Sequence, residues 1–352
     1  MVKVLFGSRR LIGIDIGSRF IKIADLEVSK KNKKLNHFIV IPTPEGVFSG
    51  SDIQNVEPLA IAIRAGLHTE KIKNKNVSLG LQGASVIVKK INMPKIDKKM
   101  LDQQIRWEAE QYIPYDMSQI SLSYHVNESS ALSDSSDVLI VAAQKTMIEQ
   151  LNQLAHSAGL KVGALDLSSF ALANAFESAY GKLLGQGIML VHVGALVTHV
   201  VIIANGEIVY VRDIGIGGHH ATSEIGKNMG LSTQEAEVLK IAASRGDEVP
   251  EDIFSSIDLF NTSLAEEIKN SRDYFFGSQD DSVQLNQVYI SGGSAKLIGL
   301  TDKISAAIEV PVAFFNVLGN VSVLPKNQLI SMDELMSISP IAIGLALRER
   351  GD

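Results

Sequence analysis

Through the first part of the chain, apolar residues come in short runs broken by turn residues, a texture that predicts strands. The runs are LIGIDI at 11–16, FIKIADLEV at 20–28, HFIVIPT at 37–43, VSLGL at 77–81 and SVIVKKINM at 85–93, with one helix around Val56–Ala65. From Pro94 the period changes. Leu101, Ile105, Ala109, Tyr112 and Ile113 recur at helical spacing in MLDQQIRWEAEQYI, and Pro114 ends that helix because it has no N–H to donate. Two strand candidates, SLSYHVN and DVLIVAAQ, flank a Ser/Asp-rich loop at 128–137, so the block reads as a small α+β subdomain inserted into the first half. Residues 145–163 read as an amphipathic helix closed by Gly159, and VGALDLSSFALANAF turns from strand into helix.

The second half opens on a hairpin at 188–211. Ser232 to Glu235 has capping-box spacing, which predicts a helix start, and a long helix follows over Glu251–Phe276. The strand QVYIS runs into Gly292-Gly293-Ser294-Ala295 and a helix, and ISPIAIGLALRER returns a helix to the first half.

One pattern occurs twice. IGIDIGSRFIKIADL at 12–26 lies without gaps against MLVHVGALVTHVVII at 189–203: an apolar strand, a glycine corner and a second apolar strand. The offset pairs Asp15 with His192, Gly17 with Gly194, Ser18 with Ala195 and Lys22 with His199. Such a repeat predicts two related halves whose corners face each other across a cleft. Small residues at both corners let backbone N–H groups approach a phosphate closely.

Composition narrows the classes. With 352 residues, 45% hydrophobic and 20% charged, the chain is long enough for two domains with buried cores. A net charge of -6 argues against a general nucleic-acid binder, and Lys30, Lys31, Lys33 and Lys34 read as a solvated hairpin tip. With no cysteine there are no disulfides or thiolate sites, which fits a reducing compartment. MVKVLFGSRRLIGIDIG does not have the pattern of a secretory signal, and the uncharged run Gly187–Ala204 is split by His192, Gly194 and His199 into two buried strands rather than one membrane span. His219-His220 reads as a loop pair, since further ligands at zinc spacing are missing.

These elements resemble the actin-like ATPase superfamily, an α/β, ribonuclease H-like duplicated fold of two domains, here with the inserted α+β subdomain. Five motifs carry the resemblance in order: Gly13–Ser18 with Lys22, Leu165–Phe176, His192–Thr198, Ile290–Ala295 and Ser339–Arg350, standing where the superfamily has two phosphate motifs, an adenosine motif and two connecting helices. The resemblance implies ATP and Mg²⁺ as cofactors. Lys22 would meet the terminal phosphates, and Gly17, Ser18, Gly194 and Ala195 would offer backbone N–H groups. Asp15 would hold Mg²⁺ through water. Gly292, Gly293 and Ser294 would flank the adenosine, with Glu237 and Lys240 near its ribose and base. Taken alone, Gly292-Gly293-Ser294 could be a simple bend, and Glu237 with Lys240 an exposed i,i+3 ion pair.

Within that superfamily the chain is similar to the PilM family, through IRWEAEQYIPYDMSQISLSYHV, GLSTQEAEVLK and SGGSAKLIGL. That implies a cytoplasmic protein of the type IV pilus assembly platform, tied to twitching motility and peripheral to the inner membrane through partners. It would bind the cytoplasmic N-terminal tail of a PilN-like membrane protein between the first subdomain and the insert, with Val86–Met93 and Trp107–Ile113 as candidate contacts, although Trp107 also reads as part of the insert's own core. Other pilus platform and motor components, and homo-oligomers, would be further partners. Two departures bear on turnover: His192 stands where the family has an aspartate, and Ser168 where an acid or glutamine orients water, leaving Asp15 and Asp166 as weak catalytic candidates. An FtsA-like cell-division or filament protein, or a small-molecule kinase of the same fold, are the alternatives. The expected divisions are 1–92, the insert 93–160, the return at 161–186, the second domain at 187–225, its helical part 226–285, the return at 286–335 and the last connecting helix 336–352.

Overall fold

The computed structural model describes residues 10–29, 32–50, 52–83, 85–127, 135–277, 284–323 and 331–349. The apolar runs at the start become β1 (Ile12–Ile16), β2 (Phe20–Val28) and β3 (Lys33–Pro42), an antiparallel meander in which every β1 residue is buried. A minimal hairpin of β4 (Phe48–Ser49) and β5 (Asp52–Ile53) precedes α1 (Val56–Thr69), whose first turn is capped by the Asn55 side chain accepting from the Glu57 N–H at 3.1 Å. β6 (Asn76–Leu81) then pairs parallel to β1.

The insert is a three-stranded sheet in the order β7 (Val86–Pro94), β9 (Ser135–Gln144) and β8 (Ile120–Asn127), covered by α2 (Lys98–Glu110). Ile105 and Ala109 of that helix, with Ile113 beyond it, meet Ile91, Met93, Val138 and Ile140 in a core of its own. Its sheet starts at residue 86 rather than 93, because β7 pairs along its whole length with β9. α3 (Lys145–Ser157) does not belong to it: Leu151, Leu154 and Ala155 pack into the first-half core beside Leu59 and Ile63 of α1.

The helix expected to run to 163 stops earlier. Gly159 takes φ +72, and the Lys161 N–H bonds to the Lys75 carbonyl at 2.7 Å, opening β10 (Lys161–Leu167) beside β6. α4 (Ser168–Tyr180) follows at once. Lys33, expected at a solvated tip, instead donates to the carbonyl and hydroxyl of Ser178 on α4, while Lys30 and Lys31 lie outside the described residues.

The second half repeats the plan with β11 (Gly187–Val193), β12 (Thr198–Ala204) and β13 (Glu207–Ile214), then α5 (Gly218–Met229), α6 (Thr233–Arg245) and α7 (Glu251–Gly277). β14 (Leu285–Ser291), α8 (Leu300–Ile308) and β15 (Val312–Phe314) complete it. The order β13-β12-β11-β14-β15 matches β3-β2-β1-β6-β10 strand for strand, with the same antiparallel and parallel neighbours. The Gly187–Ala204 run is thus two fully buried strands, and among the described residues no helix is long and apolar enough to cross a membrane. After Gly292 the chain turns through residue 299 before α8 begins, so that motif is not joined directly to a helix.

The end of the chain returns to the first half. β16 (Val321–Val323), within the stretch 286–335 expected in the second domain, extends the first sheet beside β3. α9 (Met332–Ile338) is followed by α10 (Pro340–Ala346), a separate helix because Pro340 starts it. It is shorter than the expected Ser339–Arg350, and Arg350 lies outside the described residues. α10 is clamped between β1 and α4: a Cβ on Gly13 would lie 2.0 Å from the Ala342 carbonyl oxygen, and one on Gly344 would lie 1.8 Å from that of Ala171. The core around this pair draws Leu26 and Phe176 from one half and Ile188, Leu190 and Val201 from the other.

Candidate nucleotide cleft and partner recess

The repeated corners have the same geometry. In the first, Asp15 and Lys22 are cross-strand partners, and Lys22 Nζ lies 2.6 Å from Asp15 Oδ2 with both side chains largely buried. The Gly17 N–H donates to the Phe20 carbonyl at 3.1 Å, and Thr43 Oγ1 donates to the Gly17 carbonyl at 2.6 Å. In the second, His192 faces His199, and the Gly194 N–H donates to the Val197 carbonyl at 3.0 Å. A Cβ on Gly17 would crowd the Phe20 carbonyl at 2.8 Å, and one on Gly194 would crowd that of Val197 at 2.6 Å, so glycine is what closes both turns. Ser18 and Ala195 sit on these turns, half-buried.

The histidine pair splits its charge. Burial drives the His192 pKa well below 6.5, with His199 and Lys22 pushing the same way, so the ring is neutral; its Nδ1 lies 2.9 Å from Ser291 Oγ. Burial also opposes charge on His199. There the Asp213 carboxylate outweighs it through charge and a 2.6 Å hydrogen bond, with Asp15 adding from the other half, and the pKa is raised. Asp213 is likewise held below its usual range: burial works against its charge, but His199 and the Gly83 N–H, which donates to Oδ2 at 2.8 Å, prevail. Lys22 and the His199–Asp213 pair thus stand beside the two glycine corners, a donor set that fits a polyphosphate.

At the third glycine motif, Gly292 adopts φ +101 with its N–H on the Ser337 carbonyl at 2.8 Å, and a Cβ there would lie 2.3 Å from the Val193 carbonyl oxygen. The Ser294 N–H donates to the same Val193 carbonyl at 3.0 Å, binding the motif to the end of β11, and Gly293 between them has its nearest neighbour at Ile338. Lys240 is 5% exposed and donates to the Gly218 carbonyl, Thr222 Oγ1 and Glu237 Oε2 at 2.9, 2.8 and 2.7 Å. Burial, with Arg19 adding, pushes its pKa down to about 7. Glu237 and Lys240 are thus not an exposed surface pair. Glu237 also pairs with Arg19 of the first corner, an ion pair between the two halves.

Sequence reasoning missed Arg19, Thr222, Gly218 and Asp213, whose roles depend on residues far away in the chain. Gly218 carried a local signal beside Gly217; a Cβ there would lie 2.0 Å from Ser294 Oγ. Asp166 is held by the Leu167 N–H at 2.9 Å and Asn174 Nδ2 at 3.3 Å, and lies 3.6 Å from Arg348 Nε. Ser168 opens α4 against Gly80, where a Cβ would lie 2.7 Å from its hydroxyl. His219 and His220 stand on the first turn of α5 rather than in a loop, and among the described residues no group of His, Cys, Asp or Glu could hold a metal by itself.

Between the first half and the insert lies a recess of about 190 Å³, bordered by Ile16, Phe48, Gln82, Ser85, Gln144 and Met147. Of the expected contacts, Ile91, Met93 and Ile113 sink into the insert's core and Val86 packs toward the first half, while Trp107 is 58% exposed rather than part of the insert's core.

Two sheets of the same strand order, each with a glycine corner after its first strand, and paired helices at their junction define an actin-like ATPase fold. MreB5 of Spiroplasma citri bound to ADP is similar at TM-score 0.53 with 13% identity over 96% of this chain and 95% of that one, and EutJ from Carboxydothermus hydrogenoformans at 0.55 with 15% identity over 95% and 89%. The chain of a PilM-PilN type IV pilus biogenesis complex matches far better, at TM-score 0.85 with 24% identity over 96% and 98%. The family model for type IV pilus assembly protein PilM matches residues 13–350, and the chain belongs to that family. Cell division protein FtsA of Bacillus subtilis (strain 168) is 27% identical over 126 residues, a match spanning 35% of this chain and 28% of that relative's length.

Proposed function

We propose that this protein is an ATP-binding, actin-like component of the type IV pilus inner-membrane platform, with slow or absent hydrolysis. It acts on the cytoplasmic side, peripheral to the membrane, and captures the N-terminal tail of a PilN-like membrane protein. The observation that carries the nucleotide reading is the pair of matched corners, with Asp15 and Lys22 on one side and His192 and His199 on the other. Lys22 and His199 would neutralise phosphate charge, and Gly17, Ser18, Gly194 and Ala195 would turn N–H groups toward it. Mg²⁺, when bound, supplies further charge compensation at the phosphates, with Asp15 as its carboxylate through water. Glu237, Lys240, Gly292, Gly293 and Ser294 would hold the nucleoside.

Slow turnover follows from the groups at the γ-phosphate side. His192 is neutral and fastened to Ser291, Ser168 has a short hydroxyl where a water-orienting side chain is needed, and Asp166 is engaged by α4. Loss of a general base costs roughly 10²–10⁴-fold in rate, so the cleft suits retention better than cycling.

The partner reading rests on the family and on the recess between the first half and the insert. Gln82 and Gln144 on its border carry amides able to bond an extended peptide backbone. Titrating the full chain with a synthetic peptide of the partner's tail tests it. Binding weakened about tenfold or more by Gln144→Ala or Met147→Ala is expected, whereas unchanged binding in both would refute the placement.

A further inference from the structure

Gly83 lies where three parts of the molecule meet. It follows β6 of the first half, precedes β7 of the insert, and gives its N–H to Asp213 of the second half. Its neighbours Gln82 and Ser85 border the partner recess. Gln82 Nε2 also donates to the Ile16 carbonyl at 3.2 Å, one residue past Asp15, and the Ser85 carbonyl accepts from the Gln144 N–H at 3.1 Å.

Asp213 is bonded at both ends. Oδ2 takes the Gly83 N–H at 2.8 Å, and Oδ1 lies 2.6 Å from His199 Nδ1, on the hairpin whose corner is Gly194. His199 is in register with Asp213 on one side and with His192 on the other. One carboxylate thus holds both Gly83, which lies between Gln82 and Ser85 of the recess border, and the histidine of the second corner. The contact crosses from one half to the other, so it depends on how the halves are disposed about α4 and α10.

We propose that Asp213 is a coupling residue that transmits nucleotide occupancy from the second corner to the recess, by holding Gly83 against the second half. This rests on the nucleotide and partner readings above and adds their connection. Phosphate drawing on His199 weakens its hold on the Asp213 carboxylate, whose charge then falls more fully on the Gly83 amide, the group it holds on the recess side. By reciprocity, an occupant of the recess alters nucleotide affinity by the same factor.

The test is hydrogen exchange on the full-length protein, with and without AMPPNP and Mg²⁺, after calorimetry has established that the analogue binds. Peptides covering 80–86 and 144–151 report the recess, and those covering 192–199 report the corner. In the unaltered protein the analogue is expected to slow exchange in both regions, by about fivefold or more at 80–86, the lower end of ordinary coupling. With the analogue at a concentration that saturates each variant by calorimetry, slowing at 192–199 should persist in Asp213→Ala and in the isosteric Asp213→Asn, and that at 80–86 should vanish. The readout is the difference made by nucleotide, because a merely structural role would move both states alike. Slowing at 80–86 that survives in both variants, or that is absent from the unaltered protein while the analogue binds, overturns the coupling and leaves the nucleotide reading standing. Failure of the analogue to bind removes both.

Discussion

Lys22 and His199 occupy the same place in the two halves: each is the cross-strand partner of the residue that leads into its glycine corner, Asp15 in one and His192 in the other. A duplicated backbone has kept its geometry while its side chains diverged, so that one corner holds the Asp15–Lys22 ion pair and the other a neutral imidazole beside one whose pKa is raised.

Removing the lysine should show its part directly. Lys22→Ala is expected to weaken ATP binding by about 10–100-fold, the equivalent of one charge-assisted contact of roughly 1.5–3 kcal/mol. Competition against a fluorescent ATP analogue reads this, and affinity equal to that of the unaltered protein would remove Lys22 from the site.

The His199 and Asp213 pair gives stability a pH window. A raised His199 pKa makes its contribution complete below 6.5 and lost as pH climbs through the folded value. A lowered Asp213 pKa makes its contribution present above 3.8 and lost as pH falls through the folded value. The Tm penalty of Asp213→Asn should therefore be greatest between those limits and shrink on the alkaline side. A penalty that grows with alkalinity would contradict the charged pairing.

The junction of α4, α10 and β1 tolerates no added bulk. Gly344→Ala places a methyl group 1.8 Å from the Ala171 carbonyl oxygen and Gly13→Ala places one 2.0 Å from that of Ala342, so α10 must move away from α4 in the first and from β1 in the second. Each is expected to cost about 1–3 kcal/mol or more, as overpacking does, in urea unfolding. Losses below ~0.5 kcal/mol would mean that the contact yields easily.

Trp107 is the single tryptophan and stands 58% exposed on the insert. Its emission should be that of a hydrated indole and should be quenched readily by acrylamide in the free protein. Emission typical of a buried indole would place it in the core after all.

The architecture was legible because it is local. Alternating runs, the glycine corners and the capping box at Ser232, whose hydroxyl bonds the Glu235 N–H, each specify structure within a few residues. The offset of the repeat also holds in the structure, since Asp15 and His192, and likewise Lys22 and His199, occupy equivalent positions in the register of their hairpins. Boundaries were harder. β7 alternates like a strand of any sheet, and only its partner β9 assigns it to the insert. α5 went unread because Gly217, Gly218 and two histidines mask its start, and the helical period begins only with Ala221 and Ile225. Within the site, the contacts missed were those between distant residues: Arg19 with Glu237 across 218 positions, and Gly83 with Asp213 across 130. Spacing along a sequence carries no trace of such pairs.

The most direct measurement is calorimetric titration of the pure protein with ATP in the presence and absence of Mg²⁺, followed by a steady-state phosphate-release assay on the same preparation. Saturable binding strengthened by Mg²⁺, with release slower than about one turnover per minute against the usual median near 10 s⁻¹, is the expected result. No binding heat, or phosphate release at ordinary enzymatic rates, would contradict a cleft built to hold ATP rather than to spend it.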